Sequence, residues 1–363
     1  MRIAFVGNQD NNAYRFCLWV REQGFDAHLY LFNQEREIRS RPEQIDTELA
    51  DGYPDWIGAY DDVGRASFLR PSAAARRIEA DHDVVVTHGV TGLLAARQFR
   101  RRPVVHITLG SELGAYPLGL WRLGTPLAWR GAAWLLRRGL RHVRKIITIG
   151  IYPEMRALRR LGLVDKAVVW GSPEDPARNR ARVDAALLAE LHERYGAYHR
   201  VFLWLNRLNF RNPSAGRYKA PERFLDGFAA LVRGGQNVRA VVGTHGDDVA
   251  AFQELVRGEG LEPHVDYVPH LPYWKLLTYL RIRNAVAVAV PDIERFPILG
   301  GVAREAFSVG AVVVAAQDET LARLVFGRPY PALRADDAAS CRAALERAAA
   351  MTGEEFAAQQ QRS

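Results

Sequence analysis

Two cations in the second half of the chain stand where an anion could be held. Arg207 follows the apolar run Val201-Phe-Leu-Trp-Leu, and Lys219 comes just before Pro221, which opens a stretch of helical periodicity. A strand exit and a helix start that each carry positive charge suit a diphosphate. Taken alone, such a pair is more often two solvated surface cations. Further on, Ile298-Leu-Gly300-Gly301 leads into Val302-Ala-Arg-Glu305-Ala-Phe, a glycine turn opening a helix. Free amides at such a start donate to phosphate oxygens, and the helix dipole adds to the attraction. Glu305, in the first turn or so, either complements that dipole or accepts hydrogen bonds from a ribose diol.

Other chemistries are excluded by what is missing. The loop after the first strand, Gly7-Asn8-Gln-Asp-Asn-Asn, is not a Gly-x-Gly-x-x-Gly turn, which argues against a nicotinamide dinucleotide. No Walker loop, Gly-x-Ser-x-Gly elbow or His-Glu-x-x-His occurs, nor a carboxylate pair of the glycosidase type. Asp81-His82-Asp83 has the spacing of a divalent-metal pair, but it enters the strand Val84-Val-Val at its amino end, away from where ligands bind, and no metal is expected. Asp61-Asp62, Asp247-Asp248 and Asp336-Asp337 read as turn or helix-start carboxylates. The two cysteines, Cys17 and Cys341, lie near opposite ends and exclude a disulfide framework or a cysteine-rich zinc module.

The elements that must position these residues alternate between short apolar runs and helical stripes, the pattern of an α/β protein. Ile3–Val6 reads as a buried strand; Ala13, Phe16, Cys17 and Val20 form a helical stripe closed by Gly24. Strands follow at Ala27–Phe32, Val84–Val86, Val104–Thr108 and Ile146–Ile149, while 33–72 is polar, turn-rich and without a clear element. Between Gly171 and Ala181 the sequence turns polar and proline-bearing, and the interdomain linker is placed there. A second series then begins: strands at Val201–Leu205, Val238–Val242, Tyr267-Val268, Ala285–Val290 and Ala311–Ala315, with a helix from Pro221 burying Phe224, Leu225, Phe228 and Leu231. The domains are set at 1–175, 176–335 and a pair of closing helices, 336–363, that could pack back on the first domain. In such doubly wound halves the ligand belongs at the carboxyl ends of the strands.

Composition agrees. At 363 residues the chain has room for two domains, and 48% hydrophobic with 25% charged residues excludes a largely disordered chain. No apolar run approaches the roughly 18 residues of a spanning helix, and the start shows no signal-peptide layout, so a cytoplasmic protein is expected. The net charge of +8 is local. From Leu113 to Pro153 there is no Asp or Glu, while Arg122, Arg130, Arg137, Arg138, Arg141, Arg144 and Lys145 stand among Trp121, Trp129 and Trp134. Nucleic acid and an anionic membrane are the usual targets of such a window, the plain alternative being a solvated helix with core tryptophans. No nucleic-acid module is present, so membrane contact through 121–145 ranks ahead and nucleic acid is not expected.

These residues, in this order, resemble the retaining GT-B glycosyltransferases of family 4. Leu205-Asn-Arg207 with Lys219 is similar to the family's strand-Arg-loop-Lys element, and Val241-Val-Gly-Thr-His-Gly to its next strand and glycine loop. Val268-Pro-His270-Leu resembles the segment lining the base, and Arg304-Glu305-Ala-Phe-Ser-Val-Gly-Ala-Val-Val-Val the helix-glycine-strand signature with its second glutamate. Thr320–Leu345 is similar to the closing segment, Leu109-Gly-Ser111-Glu112 to the family's His-Gly-Ser-Asp loop, and Lys145-Ile-Ile-Thr-Ile to the strand after it. Three departures stand out. Pro297 occupies the first glutamate's place, with Glu294 three residues upstream; Leu109 occupies the cleft histidine's; and Asn209–Arg217 lengthen the Arg-to-Lys interval.

The resemblance implies two Rossmann-like domains facing a central cleft. It implies transfer of a sugar, with retention, from a UDP- or GDP-linked donor to a glycan or lipid-linked acceptor in polysaccharide assembly, without cofactor or metal, in the cytoplasm or on the inner face of the membrane. Arg207, Lys219 and Glu294 would be catalytic. Gly7, Asn8, His270, Gly300, Gly301 and Glu305 would bind the nucleotide sugar, and Ser111 and Glu112 the acceptor or sugar. A nucleotide-sugar epimerase or a non-catalytic relative remains open on the same residues.

Overall fold

Runs of valine, alanine and isoleucine that are apolar on both faces belong inside parallel sheets, where helices cover each side. The computed structural model describes residues 1–32, 40–60, 71–108, 113, 127–148, 152–170, 175–211, 219–290, 300–327 and 329–362. It contains two units, Met1–Pro173 and Glu174–Ser363, each built on one sheet whose strands all run parallel.

The first unit holds β1 (Arg2–Val6), β2 (Asp26–Phe32), β3 (Ile57–Tyr60), β4 (Val84–His88), β5 (Val104–Ile107), β6 (Lys145–Thr148) and β7 (Ala167–Val169), in the order β3-β2-β1-β4-β5-β6-β7. Its helices are α1 (Asn12–Glu22), α2 (Ala73–Asp81), α3 (Gly89–Ala95), α4 (Leu127–His142) and α5 (Tyr152–Leu161). One core face joins Ala4, Val6 and Val85 of the strands to Leu93, Leu136 and Leu140 of α3 and α4.

The second unit holds β8 (Arg200–Trp204), β9 (Val238–Gly243), β10 (Val265–Val268), β11 (Ala285–Ala289), β12 (Val312–Ala315) and β13 (Leu333–Arg334), in the order β10-β9-β8-β11-β12-β13. Its helices are α6 (Pro176–Ala181), α7 (Ala185–Tyr195), α8 (Pro221–Arg233), α9 (Val249–Gly258), α10 (Tyr273–Leu280), α11 (Gly301–Ser308), α12 (Glu319–Phe326), α13 (Ala338–Ala350) and α14 (Gly353–Arg362). On one face Phe202 and Trp204 of β8 pack with Phe224 and Phe228 of α8 and Leu345 of α13.

In both sheets the strand order reverses beside the first strand, between β1 and β4 and between β8 and β11. At such a reversal successive helices leave for opposite faces and open a crevice at the carboxyl ends of the strands.

The apolar runs sit within a residue or two of their expected places. Three short edge strands were not expected: β3 inside the stretch 33–72, β7, and the two-residue β13. Each lies at a sheet edge and is only two to four residues long; β7, though apolar, is partly exposed along its length. Strand β4 runs on past Val86 through Thr87 and His88. The placed linker is also shorter than expected, since 176–181 is a helix, N-capped by the Asp175 side chain on Arg178 N. Asp83 accepts from Arg2 N at 2.8 Å, and His82 bonds Ile78 O at 3.0 Å and His28 at 3.1 Å. Asp337 caps α13 in a reciprocal box with Ser340, whereas Asp61-Asp62 lie outside the described residues. No described helix is long and apolar enough to cross a membrane.

The last two helices are tied to the second unit by Arg200. Its guanidinium, 5% exposed with the residue, donates to Ala348 O at 3.0 Å, to Met351 O, and to His199 O at 2.7 Å, and lies 4.2 Å over the Phe356 ring. His199 adds a 2.8 Å bond to Ala349 O. The carbonyls that end α13 thus find a cation where the helix dipole is negative. Arg200→Met should remove these bonds, strand two buried carbonyls and lower stability by about 2–4 kcal/mol. Denaturant unfolding followed by tryptophan fluorescence measures it.

Candidate functional site

The β8–β11 reversal gathers most of the predicted residues. Beyond β8 the chain continues through Leu205, Asn206 and Arg207, and the Asn206 amide donates to Val288 O of β11 at 2.9 Å, holding the two diverging strands together at the crevice. The β8 exit is then laced to the β9 exit. Leu208 N donates to His245 O at 2.8 Å, Asp248 N to Leu208 O at 2.9 Å, and the Asp248 carboxylate accepts from Phe210 N at 2.6 Å and Arg211 N at 3.0 Å. Asp247 accepts from the Asn209 amide at 2.6 Å. Gly246, at φ +123°, makes this possible, because a Cβ there would lie 2.5 Å from Leu208 O.

This lacing explains how a long interval still delivers Lys219. Its backbone N donates to Asn209 O at 2.8 Å, closing the inserted segment at its base and returning the lysine to the start of α8. Lys219 is half-buried, and burial together with the adjacent Arg207 charge pulls its ammonium down to about 8. Two cations held side by side in a partly desolvated place suit an anion such as a diphosphate.

Around them, Gly300 precedes the first turn of α11 without a side-chain cap, and Gly301 begins the helix. The Glu305 carboxylate turns back toward that start: its Oε1 lies 3.9 Å from where a Gly301 Cβ would stand. His270, exposed beyond β10, meets His245 edge-on with ring centroids 4.8 Å apart. Arg207, Lys219, His270, Gly300, Gly301 and Glu305 therefore all lie along the carboxyl edge of one sheet. Glu294, Pro297, Leu109, Ser111 and Glu112 lie outside the described residues.

At the β1–β4 reversal of the first unit the predicted residues are Gly7 and Asn8. Gly7, at φ +90°, lets the loop touch β4, since a Cβ would lie 2.7 Å from His88 O. The fully buried Asn8 side chain builds the loop itself: it donates to Asn11 Oδ1 and Ser40 O, both at 2.7 Å, and accepts from Tyr14 N at 2.8 Å. This holds Asp10 and Asn11 at φ +54° and +56°, left-handed conformations that cost a non-glycine residue about 1–3 kcal/mol.

Several residues at these two strand-end edges are not conspicuous in the sequence. His88 ends β4, 1% exposed, and neither ring nitrogen has a partner among the described residues. His106 bonds Thr87 Oγ1 at 3.0 Å, and burial pushes both imidazoles down to about 3. The buried Glu154 carboxylate accepts from Thr108 Oγ1 at 3.0 Å and from Thr148, joining the ends of β5 and β6. Asn206 and Asp248 complete the set. The available signals were a histidine followed by glycine at a strand's end and, for Glu154, the first acid after a long carboxylate-free window.

No family model matches the sequence, and no curated protein matches it. Solved structures do. HepE of Anabaena, in complex with UDP and glucose, is similar over 100% of this chain and 95% of its own, at 16% identity and a TM-score of 0.62. The lipopolysaccharide outer core galactosyltransferase WaaB, in its apo form, is similar over the same shares at 14% identity and 0.58. A UDP-N-acetylglucosamine 2-epimerase is similar over 100% of this chain and 91% of its own, at 14% identity and 0.56. The fold is of the GT-B type, an architecture that transferases and epimerases of nucleotide sugars share.

Lys219 gives the site a pH dependence. Its pKa is lowered from the ordinary 10.5 to about 8, so it is charged at neutral pH and loses its proton as pH rises through 8. A bound diphosphate favours the ammonium, so nucleoside-diphosphate affinity should fall, by up to about tenfold per pH unit, between about pH 8 and 10. Binding near pH 8.5 should take up a fraction of a proton, read by calorimetry in buffers of different ionisation enthalpy (a roughly half-unit window above the pKa). Lys219→Arg should abolish both effects.

Proposed function

We propose that this chain is a retaining glycosyltransferase. It takes a sugar from a nucleoside diphosphate, UDP or GDP, and delivers it to a glycan or lipid-linked acceptor in cell-envelope polysaccharide or glycoconjugate synthesis. The observation that carries this reading is the pairing of Arg207 with a half-buried, pKa-lowered Lys219 at the β8–β11 reversal. HepE was solved with UDP and glucose, and WaaB is a galactosyltransferase, which favours a uridine nucleotide sugar.

In the reaction the bond between the anomeric carbon and the diphosphate oxygen breaks, and the electron pair leaves with the diphosphate. The acceptor hydroxyl adds to the same face of the sugar, and its proton passes to the departing phosphate. Negative charge therefore grows on the diphosphate, where Arg207, Lys219 and the amides at Gly300-Gly301 stabilise it. Glu305 accepts the ribose hydroxyls, His270 borders the base, and Glu294 takes the role of the glutamate that Pro297 displaces. Gly7 and Asn8 contribute to nucleotide-sugar binding from the first unit, with Ser111 and Glu112 serving the acceptor or sugar. The domains run 1–175 and 176–335, followed by the helices of 336–363.

A second reading, epimerisation of the nucleotide sugar, is favoured by the equal breadth of the match to a 2-epimerase. Product analysis separates them: an epimerase converts the donor without acceptor, while a transferase releases nucleotide in step with glycosylated product.

The acceptor's nature is suggested by α4. Arg130, Trp134, Arg138 and Arg141 are exposed along it, Trp134 at 47%, with the Arg138 guanidinium 4.6 Å over its ring. Burial and the charges of Arg138 and Arg100 hold Arg97, just beyond α3, below the ordinary guanidinium range. Crowded guanidiniums beside an exposed indole fit the phosphates and headgroup depth of an anionic bilayer, and docking there, on the cytoplasmic face, would bring a lipid-linked acceptor to the enzyme.

Arg207→Ala and Lys219→Ala should each weaken nucleoside-diphosphate binding by about 1.5–3 kcal/mol in titration calorimetry; unchanged affinity in both would refute the diphosphate assignment. Anionic liposomes should sediment the protein at low salt and release it at high salt, with Arg137, Arg138, Arg141 and Arg144 changed to Gln abolishing the effect. Equal sedimentation with neutral vesicles would point to a soluble acceptor.

A further inference from the structure

One cation beside the basic helix α4 is unlike the rest. Arg97 sits in the turn Ala96–Gln98 that follows α3, and its Nη1 is buried without a hydrogen-bond partner among the described residues. Buried donors in folded proteins are satisfied almost without exception, and a guanidinium does not escape the cost by losing its proton. The charges of Arg138 and Arg100 bear on it, and none of the three is paired with a carboxylate among the described residues. Two contacts fix this crowding. Gly139 lets α4 cross α3 closely, since a Cβ there would lie 2.6 Å from Leu93 O, and His142 Nε2 of α4 donates to Phe99 O at 2.6 Å. The end of α4 and the turn after α3 are thereby locked together, with Arg138 on one and Arg97 on the other. The Arg138 guanidinium is itself held, 4.6 Å over the exposed Trp134 ring.

The place is not the crevice. Helix α3 starts directly after β4 and runs back, so that Arg97 stands ahead of the amino end of β5; α4 likewise ends just ahead of β6. The cluster therefore lies at the opposite edge of the sheet from the strand exits. We propose that Arg97, Arg100 and Arg138 form a phosphate-binding site at this amino-end edge of the first unit. An open buried donor, two further guanidiniums and no acid suit a group carrying two negative charges, and the forked guanidinium matches phosphate oxygens in pairs where an ammonium offers only a point charge. The phosphate belongs either to a lipid headgroup or to a soluble compound. The first source deepens the membrane reading of α4 and rests on it; the site itself rests neither on that reading nor on the diphosphate assignment.

The test uses the full chain carrying Arg207→Ala and Lys219→Ala, so that inorganic phosphate does not report on the second unit's cations, with and without Arg97→Met or Arg97→Lys. In calorimetry with inorganic phosphate at constant ionic strength, the parent should bind saturably, Arg97→Met about tenfold more weakly, and Arg97→Lys in between. Denaturant unfolding without phosphate checks the fold: Arg97→Met should unfold at the same midpoint or a higher one, because it removes a buried donor that has no partner. No saturable binding by the parent, or equal affinity in Arg97→Met, overturns the site. Vesicles of phosphatidylcholine mixed equally with phosphatidic acid or with phosphatidylglycerol then identify the source. A preference of the wild-type chain for phosphatidic acid that Arg97→Met loses assigns the phosphate to a lipid headgroup, and saturable phosphate binding without that preference assigns it to a soluble compound; either result keeps the site. UDP affinity should be the same, within about twofold, in wild type and Arg97→Met, so a failure of the diphosphate reading shows separately.

Discussion

The reversal of strand order inside each sheet is the constraint on which the rest depends. Where β1 meets β4 and β8 meets β11, the connecting helices depart to opposite faces and leave two strand exits side by side. Backbone there has no ladder partner beyond the last pair, so side chains must finish the hydrogen bonding. Asn206 does this by reaching across to Val288 O, and Asn8 does it within its own loop. Both are buried asparagines whose amides bond main-chain carbonyls far along the chain. The polar residues of the two edges are placed by these few bonds.

The two edges differ in charge as sharply as they agree in topology. The second unit's edge brings Arg207 beside Lys219 and adds a helix start. The first unit's edge holds neutral imidazoles and a carboxylate closed off by threonine hydroxyls. The same winding thus carries two different sets of side chains, and what distinguishes them is confined to the residues just past each strand's end.

That confinement explains what could be seen in the sequence. The central strands were legible because burial on both faces demands unbroken apolar runs, as in Val84–Val86 or Ala285–Val290. Edge strands β3, β7 and β13 were not, since each is only two to four residues long, too short for a pattern to stand out. Arg207 stands out in the sequence because a charge after an apolar run is conspicuous, and Lys219 because it comes just before Pro221 at a helix start. His88 was missed because the strand was ended at Val86, two residues early, and a histidine inside a loop means little while one at a strand exit means much. Asn206 and Asp248 could not have been weighted at all: their importance lies in backbone partners far along the chain, Val288 and Phe210, which only the fold brings near.

The Arg200 clamp has a consequence for the order in which the protein is made. The guanidinium sits in the first strand of the second unit, yet its carbonyl partners belong to Ala348 and Met351, nearly 150 residues later. Until the ribosome has released that stretch, the cation has no buried home, and β8 can pair with β9 and β11 but cannot settle its outer end. The first unit has no such debt, because its seventh strand is complete at Val169. Synthesis at about 5–20 residues per second therefore gives the first unit a head start of many seconds, folded and waiting, while the second remains open to chaperones and proteases until its closing helices emerge.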